Sequence, residues 1–174
     1  MPSTLENPFT PKSAIPMKRL FGGGEKIRPK TKEEIKEKME KGKVKYGEHK
    51  ILYPQAKFLK EMERQILEMV NEWGGKISKK EVAEELAQKI RVDEFGNIIN
   101  IYINSWGLKS LPSLDKLTNL QVLACINNRL TSLPGLDKLI NLQTLLCRGN
   151  NFSEKEKAKI KSQAPKNCKV SFHL

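Results

Sequence analysis

The most regular feature of the sequence is a pattern of apolar positions that repeats with a period of 22 in the C-terminal half of the chain. The positions that coincide after shifts of 22 are Ile98/Leu120/Leu142, Ile101/Leu123/Leu145, Ile103/Cys125/Cys147 and Leu108/Leu130/Phe152. A Leu-Pro pair and a Leu-Asp-Lys-Leu segment follow at the same shift, beginning at Leu111 and again at Leu133. About a dozen coincidences at one shift predict a repeat architecture, in which each copy buries its apolar side against its neighbours.

The residues from Leu120 to Pro134 read LQVLACINNRLTSLP and resemble the LxxLxCxxNxLxxLP pattern of the leucine-rich-repeat family, in its 22-residue bacterial-type class. The resemblance covers about residues 97–172. It implies a short solenoid in which each repeat supplies one strand of a parallel sheet. It also implies that Asn128 and Asn150 satisfy backbone groups at the bend after each strand. Trp106 stands where the first repeat should have this asparagine, so we expect its bend to lack that support.

Upstream of the repeats the apolar spacing changes to that of an amphipathic helix. The apolar residues that share one face are Phe58, Leu59, Met62, Ile66, Leu67, Met69 and Val70. Gly74 and Gly75 follow, and glycine commonly ends a helix. The spacing therefore predicts a helix over 54–73.

A second helix is predicted directly after these glycines. Ser78 and Glu81 have the spacing of a capping box, and the apolar pattern continues to residue 90. We therefore predict a helical hairpin (54–73 and 78–90) inside a helical segment that spans 31–96. Its second helix is acidic, which suits a DNA groove poorly, so we expect the hairpin to cover the open end of the repeats.

Both ends of the chain depart from these patterns. The closely spaced prolines between Pro2 and Pro16 and a run of glycines predict an extended basic arm over 1–30, which orders only on a partner. After the repeats, Ser153 with Glu156 predicts a capped, lysine-rich helix. A last edge strand follows it, so the repeat region with its C-terminal cap spans 97–174. The predicted fold class is α/β: a helical hairpin followed by a short solenoid with parallel strands.

The net charge of the 174 residues is +12. It is concentrated at the two ends, with net charges of +6 over 1–50, −1 over 51–96 and +7 over 97–174. No stretch reaches the roughly 20 apolar residues of a membrane span, and the N-terminus is unlike a secretory signal. Three cysteines without a close pair argue against disulfides and zinc fingers, so we expect a reduced, cytoplasmic setting.

Residue types that carry catalysis are sparse. His49 and His173 are isolated from other candidate metal ligands, so we expect no metal site. The GGGEK run that begins at Gly22 lacks the spacing and the preceding apolar strand of a phosphate-binding loop. The cysteines at 125 and 147 occupy predicted core positions, where thiols are inert. We therefore expect no cofactor and no enzymatic activity.

The predicted strands suggest where a partner would bind. Residues that alternate with the inward ones should face the concave side of the sheet, and there they should be polar if water covers them. Instead they form an apolar patch beside Arg148 and Arg129. The candidate protein-binding residues are Tyr102, Val122, Ala124, Ile126, Leu146 and Arg148. Such a patch marks a partner site, is covered by the arm or hairpin, or has no role.

Three functions are compatible with this sequence. The first is a non-enzymatic protein-binding adaptor or scaffold, which uses the concave face together with an arm that orders on a partner. The second is a protein associated with nucleic acid or the ribosome, whose basic arm neutralises phosphates. The candidate nucleic-acid-binding residues are Lys12, Lys18, Arg19, Lys26, Arg28 and Lys30. The third is a subunit or cargo of a large assembly, such as a phage or injection particle.

Overall fold

The structure, a computed structural model, describes residues 42–172. Their order is β1 (Lys43–Tyr46), β2 (His49–Leu52), α1 (Tyr53–Glu72), α2 (Lys79–Gln88), β3 (Ile90–Val92), β4 (Ile98–Tyr102), β5 (Val122–Ala124), β6 (Thr144–Leu146), α3 (Glu154–Gln163) and β7 (Lys169–Ser171). One turn of 3-10 helix, Leu136–Lys138, precedes β6. The described chain is therefore a mixed α/β structure.

Five of the strands form one sheet in the order β3-β4-β5-β6-β7. Strands β4 to β7 are parallel, as the sequence predicts, whereas β3 runs antiparallel to β4. The register of the parallel strands reproduces the sequence repeat, because Ile101 pairs with Leu123 and Leu123 with Leu145. The two members of each pair are separated by one full period of the repeat. Val170 of β7 continues the row beside Leu145.

The core lies on one side of this sheet, between the strands and the leucine-rich segments that connect them. Leu123 and Leu145 are fully buried, and so are the leucines of the connections, among them Leu114 and Leu136. Successive connections are also joined through the backbone, since Leu114 N donates to Pro134 O (2.9 Å). Each repeat therefore buries its apolar side against the next, which is the physical reason for the regular leucine spacing.

The structure differs from the prediction of a helical segment between residues 43 and 52. Strands β1 and β2 form an antiparallel hairpin there, in which Val44 pairs with Ile51. Gly47 adopts a left-handed φ of 56° in its turn, and a Cβ at this position would lie 2.5 Å from the Cβ of Ala87. Glycine is required because the turn needs a positive φ and because α2 passes so close to it.

The predicted helical hairpin is present, with a shorter second helix. Helix α1 ends at Glu72, and the backbone N–H of Gly75 donates to the carbonyl of Val70 just beyond it. Helix α2 begins with the predicted capping box of Ser78 and Glu81. It ends at Gln88 because Ile90 pairs with Ile101 as part of β3, which replaces the last predicted helical turn by a strand.

Helix α1 packs against the first repeat. The Gln55 side chain is buried, and its Oε1 accepts from the backbone N–H of Ile98 (2.6 Å). At the other end of the helix, Lys109 Nζ donates to the Glu72 carboxylate (2.8 Å). These contacts place α1 where the hairpin was expected, at the end of the repeat array. Among residues 42–172, no helix combines the length and the apolar composition that crossing a membrane requires.

Candidate functional site

The strands end in bends that are held by asparagine side chains. Asn128 is 5% exposed, and its Nδ2 donates to the carbonyls of Ile103 (2.7 Å) and Cys125 (3.0 Å). Its Oδ1 accepts from the backbone N–H groups of Trp106 (3.2 Å) and Leu108 (3.0 Å). With the carbonyl of Ile126 (3.3 Å), one side chain thereby bonds to five backbone groups in two neighbouring repeats. Without it the carbonyl of Ile103 and the N–H of Leu108 would be buried without partners.

Asn150 has the same arrangement in the following repeat. Its Nδ2 donates to the carbonyls of Cys125 (2.8 Å) and Cys147 (2.9 Å), and its Oδ1 accepts from Leu130 N (3.0 Å). The role that the resemblance implied for both asparagines is therefore present in the contacts. Because the bends are held from within the core, the outward side chains of the strands are not needed for this purpose.

The contacts also explain Trp106, which stands where an asparagine was expected. Each asparagine bonds to the bend of the repeat before it, and no repeat precedes the first. The expectation that the first bend lacks support was wrong, since Asn128 provides it from the second repeat. Trp106 instead lines an apolar depression of about 260 Å³ together with residues of α1 and α2 and with Trp73, which directly follows α1.

The side chains that alternate with the inward ones along β4, β5 and β6, and at the second residue after each strand, form what we call the open face. Its members are Asn100, Tyr102, Asn104, Val122, Ala124, Ile126, Thr144, Leu146 and Arg148. The register places Tyr102, Ala124 and Leu146 in one row across the strands. All six predicted protein-binding residues therefore lie on the same side of the sheet.

These residues differ in how much surface they offer. Tyr102 is 38% exposed, whereas Val122, Ile126 and Leu146 are half-buried. Ala124 is only 1% exposed, so it forms the floor of the patch and offers almost no contact area. The prediction of Ala124 as a contact residue is therefore wrong, while the other four apolar residues present surface.

Two asparagines at the β4 side of the face have structural bonds. Asn100 Nδ2 donates to the hydroxyl of Tyr102 (3.1 Å), which restrains the ring. Asn104 Oδ1 accepts from the backbone N–H of Ile126 (2.8 Å) and so joins the first two repeats. These two asparagines are neutral and internally hydrogen-bonded, but the exposed Arg91 of β3 pairs with Asn100 and so adds a positive charge on the same side of the sheet.

The opposite flank also carries positive charge. Arg148 follows Leu146 on the open face, and Lys169 of β7 pairs with Thr144 and lies on the same side of the sheet. Lys169 was not among the predicted binding residues, although the alternation of Cys168 and Val170 in the predicted edge strand points it outward. Arg129 does not border the patch as predicted, because its guanidinium lies 5.7 Å from the ring centre of Trp73.

The helical hairpin does not cover the apolar patch, since the contacts of α1 with the repeats are with the first repeat, at the end of the array.

Residues 1–30, which include all six predicted nucleic-acid-binding residues, lie outside the described part of the chain. Among the basic residues of the cap, Lys157 pairs with Glu154 (2.6 Å) and Lys159 with Glu156 (3.7 Å).

The cysteine and histidine side chains that could serve catalysis or metal binding are buried or contact the backbone. Burial raises the pKa of Cys125 strongly and that of Cys147 to about 12, so both thiols stay protonated and unreactive at neutral pH. His49 Nε2 lies 3.0 Å from the carbonyl oxygen of Ala87. Within residues 42–172, no three His, Cys, Asp or Glu side chains are grouped so that they could hold a metal ion.

The chain is similar over part of its length to a solved structure, that of a leucine-rich-repeat protein of Leptospira interrogans. The identity is 40%, the TM-score is 0.36, and the match covers 37% of this chain. It covers 17% of the Leptospira chain, so this protein spans about one sixth of the length of that relative. No protein-family model and no curated protein matches the sequence.

Proposed function

We propose that residues 97–172 form a short leucine-rich-repeat solenoid, and that its open face binds another protein in a non-enzymatic adaptor role. The observation that carries this proposal is the apolar surface of Tyr102, Val122, Ile126 and Leu146 on the side of the sheet that faces away from the core. Contiguous apolar surface on a folded domain is a common property of partner-binding sites.

The core and the bends do not require apolar residues at these positions. The core is filled by the inward residues of the same strands, and the bends are held by Asn128 and Asn150. A sheet face that remains in water is ordinarily polar, as Asn100 and Thr144 are here. Apolar residues at the centre of such a face lower the solubility of the protein while they are in contact with water. A bound protein would remove this apolar surface from water.

Site-specific photo-crosslinking in the source cells tests this proposal. A benzoylphenylalanine at position 102 or 146 should crosslink to a discrete protein, and nuclease treatment should leave the product unchanged. Ile140 is the matched control, because it is apolar and 74% exposed but lies outside the open face. Equal crosslinking from position 140, or no protein product from 102 and 146, would contradict the proposal.

The charge supports a second candidate function, association with RNA or a ribonucleoprotein. The chain carries +12, and its C-terminal cap presents exposed lysines such as Lys155 and Lys166. If the arm contributes, deletion of residues 1–30 should weaken retention on immobilised RNA and flatten its dependence on salt, because fewer counterions are released. Retention that is unchanged after the deletion would exclude a role for the arm.

A further inference from the structure

We propose that the partner segment bound by the open face is acidic, with apolar residues over the patch and carboxylates over Arg148 and Lys169. This inference rests on the protein-binding function proposed above. It concerns the chemistry of the partner, and it can fail while that function stands.

The two cations lie along the same flank of the open face. Strands β6 and β7 are neighbours, and Lys169 of β7 lies beside Thr144, the first residue of β6. Arg148 lies four positions after Thr144, which corresponds to about 13 Å along a strand. Leu146 lies between these two positions. A segment that covers Leu146 therefore passes between two positive side chains.

The carboxylates of the repeat region are engaged elsewhere. The four Asp and Glu side chains between residues 97 and 172 each pair with a nearby lysine, as Asp115–Lys116, Asp137–Lys138, Glu154–Lys157 and Glu156–Lys159. In the described part of the chain, neither Arg148 nor Lys169 has an ion-pair partner. The open face is consequently apolar in the middle and cationic at both edges, with Arg91 of β3 on one side and Arg148 and Lys169 on the other.

This distribution selects the charge of the partner. A segment that covers the apolar patch also removes water from Arg148, which is already half-buried. Desolvating a cation without supplying an anion is costly, whereas a carboxylate can accept two parallel hydrogen bonds from the guanidinium. RNA would supply anions but no aliphatic groups for Ile126 and Leu146. An acidic polypeptide with apolar residues satisfies both parts of the face.

Selection from a random dodecapeptide library displayed on phage tests this inference. The bait is the full chain, and binders that also bind the Leu146→Asp variant are removed. We expect the remaining peptides to combine apolar residues with neighbouring Asp or Glu. For one such synthetic peptide, labelled with fluorescein, Arg148→Glu or Lys169→Glu should weaken binding at least tenfold by anisotropy. Lys155→Glu is the matched control, since Lys155 is an exposed cation on α3, away from the face.

Each outcome has a distinct meaning. Peptides that require Leu146 but are neutral or basic, or that bind Arg148→Glu and Lys169→Glu normally, would overturn the acidic partner and leave the protein-binding function intact. If no peptide requires Leu146, both proposals fall. Polyuridylate that binds the full chain and is lost in Arg148→Glu but not in Leu146→Asp would identify RNA as the occupant and overturn the inference. Circular dichroism of each variant verifies that it is folded.

Discussion

On the inner face of β4, β5 and β6 one row of paired residues consists of Ile101, Leu123 and Leu145, all fully or almost fully buried. On the open face, at the next position along each strand, the corresponding residues are Tyr102, Ala124 and Leu146. The inner row keeps one chemical type through every repeat, whereas the outer row changes from aromatic to small to aliphatic. The same backbone therefore carries one row that the fold dictates and one that it leaves open.

Under the proposed function, this difference separates the residues that fold the chain from those that bind a partner. Inner residues are constrained because each must fill the space between two neighbouring repeats at interior packing density. Most outer residues are constrained less, although Asn104 bonds to the Ile126 backbone and Ala124 is buried, so the chemistry of the others can follow a partner. If this account is right, substitutions on the inner face should change stability, and substitutions on the open face should change binding.

The largest stability effect is expected for Leu123→Ala. Leu123 is fully buried, and a buried Leu→Ala change typically costs about 2–5 kcal/mol, so we expect a loss of about 3 kcal/mol in the free energy of unfolding. Leu146→Ala on the open face should cost less than about 1 kcal/mol, since Leu146 is only half-buried. Urea denaturation followed by circular dichroism measures both. Equal losses would mean that the open face is part of the core.

Asn128→Ala should have the next largest effect. It leaves the Ile103 carbonyl and the N–H groups of Trp106 and Leu108 without their partner, whereas the Cys125 carbonyl keeps its bond from Asn150, so we expect a loss of about 2 kcal/mol. Asn141 is the matched control, because it donates to the Thr118 carbonyl but is exposed, and its replacement by Ala should cost less than about 1 kcal/mol. Urea midpoints that are the same for the two variants would contradict the role of the buried asparagine.

The inner cysteines predict a smaller effect that depends on pH. Burial raises the pKa of Cys147 from 9.0 to about 12, so the folded state keeps a proton that the unfolded state releases. Stability should therefore be unaffected by this thiol below pH 9 and should fall as pH rises toward 12, by about 1 kcal/mol at pH 10.

Urea denaturation of the wild type and of Cys147→Ala at pH 7 and pH 10 checks this expectation. The variant should lose less stability than the wild type between the two pH values. In the folded wild type, the thiols at 125 and 147 should also resist Ellman's reagent at pH 8. Cys168 is only half-buried, so its thiol should react faster than the other two. Rapid reaction of all three thiols would show that the inner face is accessible to solvent.

The parts of the fold that could be predicted are those whose apolar residues follow a repeated or periodic spacing in the sequence. The regular spacing of the repeat predicts the parallel strands and their register, because identical repeats place identical residues in one row. The hairpin at 43–52 was missed because Val44, Tyr46 and Ile51 are too few to stand out from the surrounding charged residues. Its strands are stabilised by tertiary contacts, such as the packing of Gly47 on Ala87.

The candidate site was predicted in part. Alternation along the strands was sufficient to assign Tyr102, Ile126 and Leu146 to one face. The burial of Ala124 and the departure of Arg129 toward Trp73 depend on neighbours that are distant in sequence. For the same reason, only the strand pairing of β6 with β7 brings Lys169 to this face.

The most direct test of the account combines Ile126→Asp with Leu146→Asp in one chain and measures folding and binding together. The matched control is Ile140→Asp, an equally apolar substitution site away from the open face. We expect the double variant to keep its circular dichroism spectrum and its urea midpoint close to those of the control, and to lose the crosslinked partner from position 102. A double variant that unfolds, or that retains the partner as the control does, would contradict the assignment of the open face as a binding surface.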